Sequence, residues 1–575
     1  MPTIFIDGEQ IEAKEGQTII EAALEHSLTV PHFCWHPSLS VAGNCRMCLV
    51  NVGFPSRNPD DVDANGNRTI NYQPKAAIAC ATPVADGMHV SLTGEKSIEA
   101  QEAVMEFLLI NHPLDCPICD EAGQCKLQEY AFNHSKGKSR FDERKNHKDK
   151  RVEWGPTIMF DGERCISCSR CIRYADEIAK QPVLTFVQRG DHVTIQLFEN
   201  TQFDSPYSMN VIELCPVGAL TSIDFRFKTR VWEMSFTDSV CPGCSRGCNM
   251  QIGVRDNQIL RLEPKTNMEV NEYWMCDYGR LTQYDSVNSN RVSEPMVRKN
   301  GTLTTVTWDE AIAEAAKLLS SVPTKDISLV ASSESTNEDH FALMKFASLL
   351  NTSSIDYVSK VDVTFGDDFL KQNDKSFNSF GLTALKSKGS GNTQENFSVK
   401  KTPLLITLDD TLSKESVSDA DAIIVFASNK TEILDNASVV FPLSTFAEVE
   451  GTVINFQNRV QHFEPAVATI ENQRFMGMKM SRWDAMGAFN DRWTQGEKRN
   501  SRQGWSILQS LASQLGQEWN YTKSEEVFAE IATTYPEFGI MNYSNLDEYQ
   551  GLLLGKTELP EKKTIVYESH TMKPN

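Results

Sequence analysis

Residues 165–171 read Cys165-Ile166-Ser167-Cys168-Ser169-Arg170-Cys171, and residues 215–220 read Cys215-Pro216-Val217-Gly218-Ala219-Leu220. A triplet of thiols at two-residue intervals with a distant Cys-Pro is how small bacterial ferredoxins hold [4Fe–4S] centres, the Cys-Pro cysteine there completing the other cluster. This segment has one triplet and one Cys-Pro, so the two can only complete each other. Cys165, Cys168, Cys171 and Cys215 are therefore expected to hold one [4Fe–4S] centre. Arg170 and Arg173 lie beside it, able to offset cluster charge or simply to face solvent.

Three further sets flank this one. Upstream, Cys34, Cys45 and Cys48 sit in Phe33-Cys34-Trp35-His36 and Gly43-Asn44-Cys45-Arg46-Met47-Cys48, with Cys80 after an intervening loop. Three cysteines on a small-residue loop and one distant cysteine is the ferredoxin manner of holding [2Fe–2S], because ferric iron and sulfide call for soft, anionic thiolate ligands. A zinc site of four cysteines is the alternative, and His36 reads as structural because four thiolates already complete the set. Next comes His112-x3-Cys116-x2-Cys119-x5-Cys125. By spacing alone an iron–sulfur centre and a zinc knuckle of three cysteines and one histidine fit this box equally well. Downstream, Cys241-Pro242-Gly243-Cys244-x3-Cys248 is closed by Cys276 in Trp274-Met275-Cys276-Asp277, again supplying four thiols.

The four sets use all 15 cysteines, with His112 as the sixteenth ligand. Every cysteine lies between Cys34 and Cys276, and the last 299 residues have none. An odd count in a long chain does not suit a disulfide scaffold, whereas short regular spacings suit metal ligation. At 575 residues the chain is long enough for three to five domains. Its 40% hydrophobic and 23% charged residues are those of a globular protein. A net charge of −21, from 56 basic and 77 acidic residues, argues against nucleic acid or an anionic membrane as the main partner. No apolar run approaches the ~18 residues of a membrane span. The opening Met1-Pro2-Thr3-Ile4-Phe5 resembles neither a signal nor a transit peptide, so the chain is expected to stay where it is made. Walker, G-x-G-x-x-G and G-x-S-x-G motifs are not found, so reducing equivalents are expected to enter and leave through other chains.

Periodicity sets the expected fold. Thr3–Ile6 and Ile11–Ala13 read as strands flanking the turn Asp7-Gly8-Glu9-Gln10, with a helix from about Thr18 carrying Ile19, Ile20, Ala23 and Leu24, a ββα start suited to a β-grasp. Residues 55–74, with Asp60, Asp61, Asp63 and Asn65-Gly66-Asn67, read as an inserted polar loop. A second helix spans about 97–110 with Val104, Phe107 and Leu108 on its apolar face. The basic segment 135–151 reads as a solvated linker or subunit-docking surface, since only Phe141 among it is aromatic. Arg189-Gly190-Asp191 reads as a hairpin turn between two alternating runs. Beyond Cys276 the texture is α/β, with a helix from Trp308 to about Leu319 and buried parallel strands at Ile327–Val330 and Ala422–Phe426. Residues 371–401, rich in Ser, Asn, Lys and Gly, read as a long loop.

The order of these boxes, from the [2Fe–2S] β-grasp through the His-Cys box and Cys-Pro-Val-Gly-Ala-Leu to C-x2-C-x3-C-x27-C, resembles the large iron–sulfur subunit family of bacterial NADH–quinone oxidoreductase, respiratory complex I. The resemblance covers residues 1 to 290 and implies that His112 is a cluster ligand. It implies one [2Fe–2S] cluster on Cys34, Cys45, Cys48 and Cys80. It implies three [4Fe–4S] clusters, on His112, Cys116, Cys119 and Cys125, on Cys165, Cys168, Cys171 and Cys215, and on Cys241, Cys244, Cys248 and Cys276, the last off the main electron path. The implied fold is a multidomain α+β and α/β chain. Its parts are a β-grasp [2Fe–2S] domain (1–92), a His-Cys box (93–134), a [4Fe–4S] ferredoxin-like domain (152–230), a further [4Fe–4S] domain (234–290) and a shortened molybdopterin-oxidoreductase-like domain (291–560).

Trp308-Asp309-Glu310-Ala311, Phe441-Pro442-Leu443-Ser444-Thr445, Glu448–Asn455 and Arg459-Val460-Gln461 carry the last resemblance, and without a cysteine there no molybdopterin is expected. The implied role is an electron carrier, without its own substrate site, between the NADH- and FMN-binding subunit and quinone, ion translocation being left to other subunits. The implied partners are that flavin subunit, the small [2Fe–2S] subunit, the downstream [4Fe–4S] subunit and the other peripheral-arm subunits. The implied place is the cytoplasmic side of the bacterial inner membrane, with membrane contact only through the complex. An iron–sulfur and molybdenum subunit of an NAD-linked formate dehydrogenase is the alternative. An [FeFe]-hydrogenase would need cysteines after Cys276, and a structural zinc protein would be colourless.

Anaerobically purified chain should be brown and hold about fourteen irons with nearly equal acid-labile sulfide, the content of one [2Fe–2S] and three [4Fe–4S] centres. Stoichiometric zinc with little iron would overturn the reading.

Overall fold

A computed structural model describes residues 1–64, 66–352, 355–385, 391–393, 397–472 and 499–562. The chain divides into two compact units, one within residues 1–233 and one within 234–562.

The first unit opens with β1 (Thr3–Ile6) and β2 (Glu9–Glu12), paired antiparallel. The turn between them is the two residues Asp7 and Gly8, shorter than the four read from sequence. Both have positive φ, 47° and 91°, which matches the twist of the strands. Helix α1 (Ile19–Glu25) starts on a capping box in which the Thr18 backbone N–H and hydroxyl both donate to the Glu21 carboxylate, and it buries Ile19, Ile20, Ala22 and Ala23. Strands β3 (Leu49–Pro55), β4 (Ile70–Tyr72), β5 (Ala77–Ile78) and β6 (His89–Ser91) complete a mixed sheet of order β2-β1-β6-β3-β4, with β5 beside β3. This is the expected β-grasp. The polar insertion is in part a hairpin arm, since β4 folds back along β3. Within the Asn65-Gly66-Asn67 turn, Asn65 lies outside the described residues.

Helix α2 (Glu95–Ile110) corrects one sequence assignment. Its buried stripe is Ser97, Gln101 and Met105, whereas Phe107 is 76% exposed. The cause is polar docking. The Ser97 hydroxyl donates to the Ser91 carbonyl and accepts from the Asn51 N–H, so a serine faces inward where an apolar count looks for a hydrophobe. Helix α3 (Lys126–His134) packs against α2.

The basic segment is largely solvated, as read from sequence, and also acts as a strap. Lys136 pairs with Glu102 and Arg140 with Glu106, and Lys150 reaches Asp115 at 2.7 Å and Glu163 at 2.9 Å. Lys145 donates to the Leu109 and Ile110 carbonyls at 2.9 and 2.7 Å, satisfying the open C-terminal end of α2 just before His112.

Further along, β7 (Val152–Glu153) and β8 (Ile158–Phe160) precede α4 (Arg170–Glu177). The hairpin β9 (Leu184–Val187) and β10 (Thr194–Leu197) turns through Gly190–His192 as read from sequence. Helix α5 (Asn210–Leu214) leads into Cys215, and β11 (Leu220–Ser222) returns to pair with β8.

The second unit begins with an antiparallel sheet of β12 (Ser235–Val240), β13 (Asn249–Arg255) and β14 (Gln258–Pro264), followed by α6 (Asp277–Thr282) and α7 (Asp285–Asn288). Its main body contains β15 (Met296–Lys299), β16 (Thr302–Thr305), α8 (Trp308–Ser321), β17 (Ile327–Ala331), α9 (Asn337–Leu349), β18 (Ile355–Ser359), α10 (Ser379–Ala384), β19 (Gly391–Thr393), β20 (Leu404–Thr407), β21 (Ile423–Ala427) and β22 (Val439–Pro442). These strands form one sheet of order β16-β15-β22-β21-β20-β17-β18-β19, parallel from β22 to β19. The order reverses between β17 and β20, the switch point of a doubly wound fold. Strands β23 (Gly451–Ile454), β24 (Arg459–Phe463) and β25 (Leu552–Leu553), with α11 (Gly504–Gln514), α12 (Ser524–Thr534) and α13 (Tyr543–Glu548), complete the unit.

Helix α8 begins on a second capping box, Thr307 with Glu310, and buries Trp308, Ala311, Ile312, Ala315 and Leu319, close to the sequence reading. Residues 371–401 are not one long loop. They contain α10 and β19, and Phe377, Phe397 and Val399 are buried, while 386–390 and 394–396 lie outside the described residues. Polar residues carry this fold internally, since buried Asn378 donates to the Ser335 carbonyl and accepts from the Ile454 N–H. Among the described residues no helix is long and apolar enough to cross a membrane.

Lys145→Met should fray the end of α2 and cost about 1 kcal/mol, the scale of a lost cap hydrogen bond. Thermal unfolding and faster amide exchange at Leu108–Ile110 would register it.

Candidate metal centres

In the first set, Cys34, Cys45 and Cys48 come from the loop between α1 and β3, and Cys80 follows β5. Arg46 turns this loop with a φ of 62°, left-handed geometry that a short thiol-bearing loop needs. The four thiols interlock. Hydrogen bonds from Cys45 and Cys80 hold the Cys34 thiol below its ordinary range, while the same contacts push Cys45 and Cys80 up. His36 is buried, its Nδ1 accepts from the Ser38 N–H at 3.2 Å, and burial keeps the ring neutral. That agrees with a structural role.

In the second set, Cys119 is buried, Cys125 half-buried at the N-cap of α3, and Cys116 exposed. Burial pushes Cys125 up to about 12 and raises Cys119 against the pull of Arg164. His112 follows α2 with its Nδ1 buried and no hydrogen-bond partner among the described residues, and burial lowers its pKa to about 4. A neutral imidazole with an unshared buried nitrogen is the form in which histidine ligates a metal. Arg164 acts electrostatically on both His112 and Cys119, linking imidazole to thiols.

In the third set, positive φ at Ser167 (54°) and Ser169 (63°) coils the triplet loop inward. Cys165, Cys168, Cys171 and Cys215 line one small pocket with Phe160, Ile166, Ile195, Val217, Ala219, Leu220 and Arg170. Burial raises all four thiols, Cys165 to about 11. The Ser167 N–H points at Cys165 Sγ at 3.3 Å.

In the fourth set, Cys241 follows β12 and Cys248 precedes β13, and the Cys241 N–H donates to the Cys248 carbonyl at 2.8 Å. Cys276 caps α6 and accepts from the Gly279 N–H at 3.3 Å. Burial raises these thiols too, Cys276 to about 12. A Cβ on Gly279 would lie 2.9 Å from Cys241 Sγ, so only glycine leaves that thiol its place.

Thiols act on one another within the first, third and fourth sets, and in the second set Cys119 acts on Cys125. The donors fit iron–sulfur centres on three counts: soft thiols, N–H groups aimed at sulfur, and glycine cradles. Among the described residues no three His, Cys, Asp or Glu side chains close to the spacing of one bound ion; a polynuclear core holds its thiolates further apart.

Three features were missed from sequence. Gly218 is one, since a Cβ there would lie 2.1 Å from Cys119 Sγ. Its position two residues after a Cys-Pro was the available signal. The second is Arg164, which no local pattern marks. The third is the contact between sets. Arg173 donates to the Cys34 and Ser40 carbonyls, and Asn44 Nδ2 donates to the Ser167 carbonyl at 3.2 Å, so the first and third sets adjoin. On the other side the Lys126 N–H donates to the Pro216 carbonyl at 3.2 Å, beside the Gly218–Cys119 approach, so the third and second sets adjoin.

Family models match in the same order. Residues 1–94 match a 2Fe-2S iron-sulfur cluster binding domain, 101–140 the NADH-ubiquinone oxidoreductase-G iron-sulfur binding region, and 155–221 the NADH-quinone oxidoreductase subunit 3 ferredoxin-like domain. Residues 234–289 match the molybdopterin oxidoreductase Fe4S4 domain, and 291–379 and 371–475 match molybdopterin oxidoreductase. The G subunit of NADH-quinone oxidoreductase from Rickettsia bellii is 38% identical over 64% of this chain and 52% of its own length. NADH-quinone oxidoreductase subunit 3 of Thermus thermophilus is 36% identical over 62% and 47%. The NADH-ubiquinone oxidoreductase 75 kDa subunit of Reclinomonas americana is 40% identical over 54% and 42%. The chain therefore spans about half the length of the curated relatives it matches.

Gly218→Ala should push Cys119 out of place and abolish the second centre's EPR signal while sparing the fourth. Retention of all signals would show that the close approach is not needed.

Proposed function

We propose that this chain, similar over its iron–sulfur half to the G subunits of NADH-quinone oxidoreductase, is an electron-transfer subunit of such a complex, relaying electrons from an NADH- and FMN-binding subunit toward quinone. The observation that carries the reading is the run of adjoining thiol sets, first to third through Arg173 and Asn44, third to second through Gly218 and Cys119. We assign one [2Fe–2S] cluster to Cys34, Cys45, Cys48 and Cys80. Three [4Fe–4S] clusters go to His112 with Cys116, Cys119 and Cys125, to Cys165, Cys168, Cys171 and Cys215, and to Cys241, Cys244, Cys248 and Cys276. Bound there, such centres would supply one-electron chemistry at thiolate-held iron–sulfide cores.

The chain's own residues do the rest. Apolar walls from Phe160, Ile195 and Leu220 exclude water from the middle set, and the burial that raises its thiols makes loading release protons. Exposed Cys116 brings the second set to the surface, where electrons can leave for a downstream [4Fe–4S] subunit. The flavin subunit, the small [2Fe–2S] subunit and other peripheral-arm subunits are the proposed partners. The proposed location is the cytoplasmic face of the bacterial inner membrane, reached only through the complex.

The matches to molybdopterin oxidoreductase favour a molybdenum-dependent formate dehydrogenase subunit as the second reading. Against it, the first turn of α9, at the switch-point end of β17, carries buried Glu338 and Asp339, which burial pushes up to about 7 and 6. A cofactor with phosphates needs cations or N–H donors at such a turn, so we read this domain as a scaffold.

Purification from solubilised membranes should recover the chain with flavin- and quinone-linked subunits and NADH-dependent reduction of its EPR signals. The chain alone should oxidise neither NADH nor formate. Stoichiometric molybdenum with formate-dependent reduction would favour the second reading. Replacing His112 by cysteine adds a negative ligand and should lower the second centre's potential, by about 60 mV for each tenfold change in a one-electron equilibrium. An unchanged potential in an assembled variant would remove His112 from the ligand set.

A further inference from the structure

Arg170 is one of the largest side chains fully buried in the first unit, 0% exposed, at the first position of α4. Its Nη1 donates to the Leu214 carbonyl at 3.1 Å, and its Nη2 donates to the Trp35 carbonyl. Leu214 immediately precedes Cys215, and Trp35 immediately follows Cys34. One guanidinium therefore grips the backbone next to a thiol of the third set and next to a thiol of the first. It also lines the cavity that the third set encloses.

Burying a guanidinium is costly unless negative charge stands near it. Four thiolates outweigh the positive charge of the iron core they hold, so each loaded set is anionic. Arg170 is a fully buried cation that both anions would share. The planar fork of arginine suits this place, because it spans two carbonyls in different directions, which a lysine ammonium on one flexible stem does not.

Resting on the function proposed above, we propose that Arg170 is a positioning residue that clamps the first and third ligand loops together and acts as their common counter-charge, raising the reduction potentials of both centres in step. Adding an electron makes each centre more negative, and a nearby buried cation favours that state in both. The driving force between the two centres is thereby held nearly constant. Arg173, one turn further on, donates to the Cys34 and Ser40 carbonyls and lies near both Cys34 and Cys168, but it is only partly buried, so its share of the counter-charge is more screened.

The test is EPR-monitored redox titration of the full chain in its purified complex. Arg170→Met, which removes the charge at similar volume, should shift both the first and third centres' equilibria about tenfold toward the oxidised form, which is about 59 mV lower for a one-electron couple. The second and fourth centres should hold their potentials as internal references. Arg170→Lys should restore most of the shift. If the Met variant loses the centres, Arg170→Gln, which keeps an N–H donor for one carbonyl, takes its place. Unmoved potentials in an assembled neutral variant, movement at one centre only, or a Lys variant no closer to wild type than Met would each overturn the proposal. Loss of both centres in all three variants would overturn it in favour of a purely structural role. Absence of [2Fe–2S] and [4Fe–4S] signals from the wild-type complex would instead sink the function on which the proposal rests.

Discussion

Crowding thiols into a dry space is the constraint on which the rest of this chain depends. A buried thiol resists ionisation, and a second anion beside it makes ionisation harder still. The raised values of Cys165, Cys125 and Cys276 record that cost. A set of this kind is worth holding together only if something binds there that turns thiolate repulsion into ligation. Once bound, the centre becomes part of the folding free energy of the loops around it. That is why the first unit, whose sheets are small, can be built largely from loops.

Local backbone chemistry makes those loops possible. Left-handed residues at Arg46, Ser167 and Ser169 bend ligand loops tightly enough for thiols a few residues apart to face one point. Each costs on the order of 1 kcal/mol for a residue with a Cβ. Gly218 and Gly279 do something different, giving up a side chain so that sulfur can come within van der Waals range of the backbone. The strap from Lys136 to Lys150 then fixes the end of α2, and with it the position of His112. Its surface ion pairs are individually weak, so the two carbonyl contacts of Lys145 are the part that constrains.

Ligand spacing was legible in the sequence because it is local. Three thiols within seven residues can hardly point elsewhere than at one centre, and the capping boxes at Thr18 and Thr307 likewise announce their helices within four residues. What was not legible involves partners far apart in the chain. The inward face of α2 turns on Ser97 meeting Asn51 and Ser91, and the buried state of Arg170 on carbonyls 135 and 44 residues away. Residues 371–401 read as a loop because their polar side chains were counted as solvent-seeking. Asn378 instead joins β23 to the turn after β17 from inside the second unit. Composition describes what a side chain prefers in water and says nothing of a hydrogen bond waiting in the core.

The second unit shows the same logic turned to a different end. Its parallel sheet has the strand order of nucleotide-binding folds, with a helix N-terminus presented at the switch point. At that turn the protein places its own buried carboxyls. Glu338 accepts from the Thr452 N–H, the Thr452 hydroxyl and the Tyr543 hydroxyl, each at 2.9 Å, and Asp339 accepts from the Trp505 N–H at 2.7 Å. These bonds draw β23, α11 and α13 onto the start of α9. The Asp339 N–H of this turn is itself engaged by the Thr336 hydroxyl, and the turn's carboxyls knit the unit together. Topology alone would have suggested a cofactor site, whereas the residues at the turn argue for a scaffold, and where fold and side chains disagree the side chains decide the chemistry.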